Sequence, residues 1–399
     1  VYCFLNAAGL VCAAGNSPRE ALRRIRSGQD CLTLTAEFGG DAALPLGLCH
    51  GELPEITLTE THWHSRNNRL ALAALAQIAD EVAAAIRRFG ADRVGVVIGT
   101  STSGVADNEQ AMRQWRAGAE QPEGVDYARQ EMGATAAFLA RQLDLNGPVY
   151  TLSTACSSGA KALASARRLL RAGVCDAVIA GGVDSLSSLT VSGFGALEAV
   201  SKQRCNPFSV NRNGINIGEG AALFLVTAEP GGVELLGVGE GSDAHHISAP
   251  DPSGAGAERV MRAALQDAGL DAGQIDYINL HGTATPLNDS MEAQAVHRVF
   301  GLATACSSTK PFTGHALGAA GAIEAALCRQ LLLEAGNGGA VLPLHAWDGQ
   351  ADPALAPLRL AAPDEQGPVR RVLSNSFAFG GNNIALILGR TDEAAIQHR

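Results

Sequence analysis

Aromatic residues are scarce in this 399-residue chain, at 5% of the total. A core built on ring stacking is therefore excluded. Hydrophobic residues still reach 46%, and glycine occupies 46 positions. A core of aliphatic and very small side chains favours helices packed closely on strands, a layered α/β protein. Positive charge is also in short supply. The net charge of −10 argues against a nucleic-acid binder, which needs a basic field. It leaves room for a local basic patch facing an acidic partner. The nine cysteines show no CxxC or Cx₂₋₄C…H spacing, so no disulfide framework or zinc site is expected. A reducing cytosol fits such cysteine usage. No run approaches the ~18 apolar residues of a membrane span. The opening "VYCFLNAAGLVCAAG" lacks a basic n-region and reads as a strand and turn, not a signal peptide.

What the chain does have is alternation. Buried-strand patterns cover Arg93 to Thr100, Pro148 to Thr154, Cys175 to Gly182, Ile275 to Gly282, Val369 to Phe377 and Ile384 to Gly389. Helical patterns cover Arg69 to Phe89, Ser157 to Arg171, Ala257 to Ala268 and Ala316 to Ala335. Continuous apolar strands between helices predict parallel sheets covered on both faces. The length suggests two domain-sized halves or one large α/β unit. The stretch "TAEPGGVE" supplies a seam, giving an N-terminal half over 1–229 and a C-terminal half over 230–399. "CSSGAKALASARRLL" and "LGAAGAIEAALCRQLL" share a Gly-Ala step, dense alanine and a Leu-Leu ending. They read either as two similar buried helices or as two copies of one unit, with the two helices back to back inside five layers.

The pentapeptide TACSS occurs twice, at Thr154 to Ser158 and Thr304 to Ser308. Cys156 lies between a strand and a helix. A helix N-terminus offers free N–H groups and a positive dipole end, which favour a thiolate and should lower the pKa of this thiol. Cys306 is followed by "SSTKP", where Pro311 opposes a helix start. Cys306 therefore reads as a buried small hydrophobe. His281 in "NLHGTATPLND", His315 and Lys310 in "STKPFTGHALGAAGA" and the Phe-Gly-Gly turn of "SNSFAFGGNN" all fall at strand–loop or loop–helix junctions. Open α/β sheets gather active sites there. His245 and His246 are adjacent on a loop, but no third ligand stands at helical spacing, so no metal is expected.

In this order "TACSSGA", "HGTATPLND", "STKPFTGHALGAAGA" and "NSFAFGGNN" resemble the β-ketoacyl-acyl-carrier-protein synthases of the thiolase superfamily, Cys-His-His elongating branch. "NPFSVNRNGINIGEGAA" resembles the segment that family carries between nucleophile and first histidine. The match spans nearly the whole chain. It implies a duplicated thiolase-like αβαβα five-layer fold with mixed, mostly parallel sheets, the N-terminal half bearing the nucleophile and the other half the histidines and lysine. It implies a homodimer, or a heterodimer with a chain-length factor. The activity implied is decarboxylative Claisen condensation between an acyl-enzyme and malonyl-acyl carrier protein. No resident cofactor is expected, since phosphopantetheine arrives on the carrier protein. Cys156 would carry the acyl group, with the N–H groups of Cys156 and Phe379 holding the oxyanion. His281 and His315 would act as neutral N–H donors. Lys310 would depress the pKa of His315, and Glu324 would pair with Lys310; a plain helix-anchoring salt bridge is the blander reading of that pair. Thr283 and Thr285 would bind pantetheine, with turn chemistry before Pro286 as the alternative. Phe377 and Phe379 would flank the gate, and Ser101 and Thr102 would line the acyl pocket. Arg66, Arg69, Lys202 and Arg204 would form a basic patch for the carrier protein, or else a solvated helix end.

Departures from the family pattern are also visible. Ala378 stands where glycine is common in the gate, and its Cβ should stiffen that loop if φ is positive. Asn213 and Asn382 replace common Asp and Thr. The polar "IGTSTSG" points toward aryl polyene or related polyketide synthases, with a fatty-acid elongating enzyme as the rival. A thiolase would need a second cysteine where His315 stands. A non-catalytic chain-length-determining subunit would lack the nucleophile that this chain retains.

Overall fold

In this computed structural model, residues 2–38, 42–116, 125–336 and 338–390 are described. The first half runs β1 (Phe4–Cys12), α1 (Arg66–Ala76), α2 (Ala79–Phe89), β2 (Val94–Gly99), α3 (Ala134–Gln142), β3 (Val149–Leu152), α4 (Ser158–Arg171), β4 (Ala177–Asp184) and β5 (Gly220–Thr227). The second runs β6 (Val233–Ser242), α5 (Ala255–Ala268), β7 (Tyr277–Asn279), α6 (Pro286–Phe300), β8 (Ala305–Ser307), α7 (Ala320–Ala335), β9 (Arg359–Leu360), β10 (Arg371–Phe377) and β11 (Asn382–Arg390). These strands join into one 11-stranded sheet in the order β9-β8-β7-β10-β11-β6-β1-β5-β4-β2-β3.

That order contains the same ladder twice. Read outward from the middle, the first half gives β1-β5-β4-β2-β3 and the second gives β6-β11-β10-β7-β8, with β9 added at the edge. The directions repeat too. β1·β5 and β5·β4 are antiparallel while β4·β2 and β2·β3 are parallel. β6·β11 and β11·β10 are antiparallel while β10·β7 and β7·β8 are parallel. The halves meet through the single pair Phe4↔Glu234. The sheet is thus mixed, with parallel strands outside and antiparallel strands in the middle. One cause is local: β10 returns as β11 through the tight turn Ala378–Gly381, where Gly380 (φ 76°) and Gly381 (φ 72°) reverse the chain, and so short a turn can only join antiparallel neighbours.

Three of the four apolar clusters among the described residues lie between helices and strands and mark the layers. One lies between α1–α3 and the first half's strands, with Leu70, Ala74, Val96 and Phe138. One lies between α5–α6 and the second half's strands, with Val260, Met261, Ile278 and Val296. The third is central, where Ala162, Leu163 and Ala166 of α4 meet Ala322, Ile323 and Ala326 of α7 among strand residues of both halves. The shared Gly-Ala step explains how close α4 and α7 come. A Cβ on Gly159 would lie 2.9 Å from that of Ala322, and one on Gly321 would lie 2.9 Å from that of Ala160. The helical run expected over Arg69 to Phe89 breaks after α1, where the Gln77 side chain turns inward to bond both Leu10 N (3.1 Å) and Leu10 O (2.9 Å). Among the described residues no helix is long and apolar enough to cross a membrane.

Candidate active site

Every letter of the first TACSS has a task. Ala155 takes φ 52°, a left-handed conformation that costs a non-glycine residue about 1–3 kcal/mol. Hydroxyls around it hold the turn. Ser158 Oγ accepts from Thr154 N (2.8 Å) and donates to Ala155 O (2.6 Å), while Ser157 Oγ donates to Thr154 O (2.8 Å). The turn places Cys156 just ahead of α4, at 7% exposure. In the second TACSS, Cys306 lies in β8 with its thiol directed to Arg359 O (3.4 Å) within the outer apolar cluster. Packed in that strand away from the cavity, it is a buried core residue, as expected, and burial also drives its thiol's pKa up. Pro311 proves to be no helix breaker. It occupies the first turn of a short helix, Lys310–Thr313, where a missing N–H is tolerated.

The second half brings its polar groups to the same place. His315 Nε2 stands 3.0 Å from Cys156 Sγ. Its backbone is fixed by His315 N to Asn216 O (2.7 Å) and by Gly218 N to His315 O (2.9 Å). His281 follows β7 and meets His315 edge-on, with ring centroids 5.4 Å apart. Ligand atoms of Cys156, His281 and His315 all lie within 4.8 Å of one another. Such a donor set would suit a soft divalent ion, but a cation already stands behind it. Lys310 Nζ donates to His281 O (2.5 Å), faces His281 Nδ1 at 3.4 Å and pairs with Glu324 Oε1. Lys310 and Glu324 are each 2% exposed.

These contacts set protonation. Burial holds His281 well below the usual imidazole range, with Lys310 and then His315 adding repulsion. Burial does the same for His315, Lys310 adding repulsion second. Lys310 thus touches His281 rather than His315, and desolvation outweighs like-charge repulsion for both rings. An ammonium only donates, so His281 Nδ1 must accept and the ring proton sits on Nε2. The cysteine reverses its expectation. Burial pushes the Cys156 thiol up to about 12, against the pull of Lys310 and of its own N–H. The resting pair is therefore neutral thiol and neutral imidazole, because the helix terminus does not offset the loss of water.

A cavity of about 280 Å³ opens on these groups. Cys156, His281 and His315 form its floor, with Thr283, Thr285, Phe194, Phe377 and Phe379 in its walls. The Thr283 and Thr285 hydroxyls bond each other (2.9 Å), and both residues line the cavity. Phe379 is 36% exposed and packs on Phe194 at 5.6 Å. Ala378 has φ −114°, open to any residue, so its Cβ imposes no strain on the gate.

Family models for the β-ketoacyl synthase N-terminal and C-terminal domains match residues 7–230 and 233–336. The chain belongs to the β-ketoacyl synthase family. This synthase is 36% identical to nodulation protein E of Rhizobium meliloti over 74% of the chain and 75% of that protein. It is 32% identical to 3-oxoacyl-[acyl-carrier-protein] synthase 2 of Staphylococcus aureus (strain COL) over 81% of each. Among solved structures, a chain of the complex of ketosynthase ApeO with its chain length factor ApeC from Xenorhabdus doucetiae superposes with TM-score 0.91 at 42% identity, covering 98% of both. A chain of the ishigamide ketosynthase/chain length factor gives TM-score 0.85 at 26% identity, covering 98% of this chain and 99% of that one.

Several expected site residues of the synthase lie elsewhere. Ser101 and Thr102 do not line the cavity. Ser101 N (2.8 Å), Thr102 N (2.9 Å) and Thr102 Oγ1 (2.8 Å) all donate to Asp184 Oδ1, because a buried carboxylate at the end of β4 needs those donors more than a pocket needs a polar wall. The basic patch also dissolves. Arg66 donates through Nε to Glu219 Oε2 (2.7 Å) and through Nη2 to Oε1, and Glu219 is fully buried. Arg69 is spent on Leu53 O (2.7 Å), Pro54 O (3.1 Å) and Glu55 (2.8 Å). Arg204 donates to Pro311 O (3.1 Å) and lies over the Phe312 ring. Of the four, Lys202 alone is an exposed cation without such ties. His246 is a loop former whose Nδ1 accepts from Ser248 N and Ala249 N (3.2 Å each).

The sequence reading missed the buried acids that hold the site. Glu292 accepts from His281 N (2.8 Å) and Gly282 N (2.7 Å), and Asp289 from Phe208 N (2.8 Å) and Ala284 N (3.2 Å). Burial lifts them to about 7 and about 6. The signal was available: two acids three apart, in the helix that Pro286 opens directly after "HGTAT", share the face turned toward His281.

Proposed function

We propose that Cys156 is the nucleophile of a decarboxylative chain-elongating condensation between an acyl chain and malonyl units carried on acyl carrier protein. The observation that carries this reading is the convergence in one cavity of Cys156 Sγ, His315 Nε2 and a His281 ring held neutral by burial, with Lys310 behind it. An acyl-thioester enters along the polar wall of Thr283 and Thr285. Cys156 Sγ attacks its carbonyl, the thiol proton passes through His315 to the departing pantetheine sulfur, and the N–H groups of Cys156 and Phe379 hold the oxyanion. Malonyl-carrier protein then takes the vacated space. His281 Nε2–H and His315 donate to its thioester oxygen as the carboxylate leaves as CO₂. The resulting carbanion attacks the acyl carbonyl, and the Cys156 thiolate that departs takes up a proton. No resident cofactor takes part.

The partners in this reading are an acidic acyl carrier protein and a second subunit of the same fold, either a copy of this chain or a chain-length factor. With Cys156, His281, His315 and Lys310 all present, this chain is the catalytic member of any such pair. Nine free buried cysteines among the described residues support work in a reducing cytosol. The pathway proposed is aryl polyene or related polyketide elongation, as the sequence motifs suggest, and the 42% identity to a chain of the ketosynthase–chain length factor complex ApeO–ApeC supports pairing with a chain-length factor. The test is incubation with a panel of acyl-carrier proteins followed by peptide mass spectrometry. Acyl label on Cys156 alone supports the reading and reports the preferred chain. Label on Cys306, or none at all, overturns it and brings the non-catalytic partner subunit forward.

A further inference from the structure

Asp184 closes β4 at zero exposure, yet no step of the proposed chemistry uses it. Every contact it makes is with a donor. Besides Ser101 and Thr102, Thr100 Oγ1 donates to Oδ1 (2.6 Å), so that oxygen is fully occupied from the first half. The remaining bond crosses to the second half, where Gly318 N donates to Oδ2 (2.6 Å). Gly318 lies three residues beyond His315, in the turn that leads into α7. Between them Leu317 takes φ 45°, a left-handed conformation that a leucine does not hold unaided. A Cβ on Gly318 would lie 2.8 Å from Asp184 Oδ2 and 2.9 Å from Ser101 N, so the two segments lie too close for any side chain at 318. The His315 side chain departs from one end of this strained turn and Asp184 grips the other.

We propose that Asp184 is a positioning residue for the condensation: its carboxylate pins Gly318 N, locks the Leu317 turn, and thereby fixes His315 Nε2 against Cys156 Sγ. This inference rests on the reading of Cys156 and His315 given above. A charge-assisted bond of this kind is stronger than a neutral one, and the donors around it are rigid backbone groups. Asparagine at 184 would turn an NH₂ or a weaker acceptor toward N–H groups and release the turn.

The experiment is a double-mutant cycle on the full chain, using Asp184→Asn, His315→Ala and the pair. The readouts are Cys156 alkylation by iodoacetamide, located by peptide mass spectrometry, and acyl transfer from an acyl-carrier protein. D184N should slow acyl transfer roughly 100-fold, the scale of a misplaced catalytic group, with KM for the acyl-carrier protein within about 2-fold of the parent. In the H315A background it should add nothing to the loss of alkylation, because the group it positions is already gone. Equal losses in both backgrounds would overturn the proposal and leave Asp184 a purely structural anchor. Should D184N fail to fold, Thr102→Val removes one donor and must give a smaller loss of the same non-additive kind. An H315A enzyme with undiminished acylation and alkylation would instead sink the underlying reading of the site.

Discussion

Replacing Lys310 by methionine separates two roles that share one ammonium. Lys310 and Glu324 are both 2% exposed, so their charges interact with little solvent screening. At an effective dielectric of about 20, unit charges about 4 Å apart attract by roughly 4 kcal/mol. Removing one partner of such a pair strands the other, and the expected loss of stability for K310M is about 3–5 kcal/mol. Adding Glu324→Gln removes the stranded charge and should return most of that stability, measured by denaturant unfolding. The chemistry should not return with it. Lys310 also donates to His281 O and faces His281 Nδ1, contacts that keep the His281 proton on Nε2. The double variant should therefore fold, acylate Cys156 at a near-parental rate, and condense at least about 10-fold more slowly, since one general-acid or oxyanion donor contributes on that order or more. The assay is single-turnover acylation beside malonyl decarboxylation on the same preparation. A double variant that recovers both stability and condensation would refute the reasoning and reduce Lys310 to a helix-anchoring salt bridge.

Other outcomes follow from the same geometry. Arg66→Ala leaves the fully buried Glu219 without its guanidinium and should cost about 2 kcal/mol or more of stability, less than a wholly buried pair because Arg66 is 35% exposed; a raised KM for carrier protein with unchanged stability would restore Arg66 to a docking patch. Thr283→Val with Thr285→Val should raise KM for acyl-carrier protein by about 10-fold while leaving iodoacetamide alkylation of Cys156 unaltered; equal loss in both assays would show that the hydroxyls shape the His281 loop instead. Glu292 has a folded pKa raised from 4.5 to about 7. Its protonated form is the one the fold prefers, so its contribution is fully present below about 4.5 and is lost as pH rises through about 7, on the order of 3 kcal/mol. Unfolding of E292Q should consequently show a flatter stability profile than the parent across that window, and parallel profiles would disprove the assignment.

The alternation of apolar strands and alanine-rich helices made the layers legible, because buried strands and helix faces advertise themselves by composition. The Gly-Ala step in both central helices made the duplication legible for a steric reason: only residues that small let α4 and α7 touch. The junction residues Cys156, His281, Lys310 and His315 were legible because strand ends gather chemistry. Partner choice was not. Whether Arg66 reaches solvent or Glu219 depends on a contact 153 residues away along the chain, and no local pattern encodes it. Ser101 and Thr102 were misplaced for the same reason, since their partner Asp184 lies 82–83 residues on. The sign of the Cys156 shift was misjudged because a helix terminus is visible in sequence whereas loss of water is a property of the packed site.

The repeated pentapeptide looks like an imprint of the duplication, and the geometry shows otherwise. Both copies attend the third strand of their half, but one follows β3 while the other forms β8 itself. Matching the helices through Gly159 and Gly321 places Cys156 opposite Gly318, not opposite Cys306. The second half therefore has no side chain at the position matching the nucleophile. A reason lies in what surrounds it: a Cβ at Gly318 would lie 2.8 Å from Asp184 Oδ2 and 2.9 Å from Ser101 Oγ. It is Asp184 and Ser101 of the first half that leave no room for a side chain at 318. Free of a nucleophile, the second half's turn can instead carry His315 into contact with the first half's cysteine. One cysteine of the first half thus faces two histidines and a lysine supplied by the second.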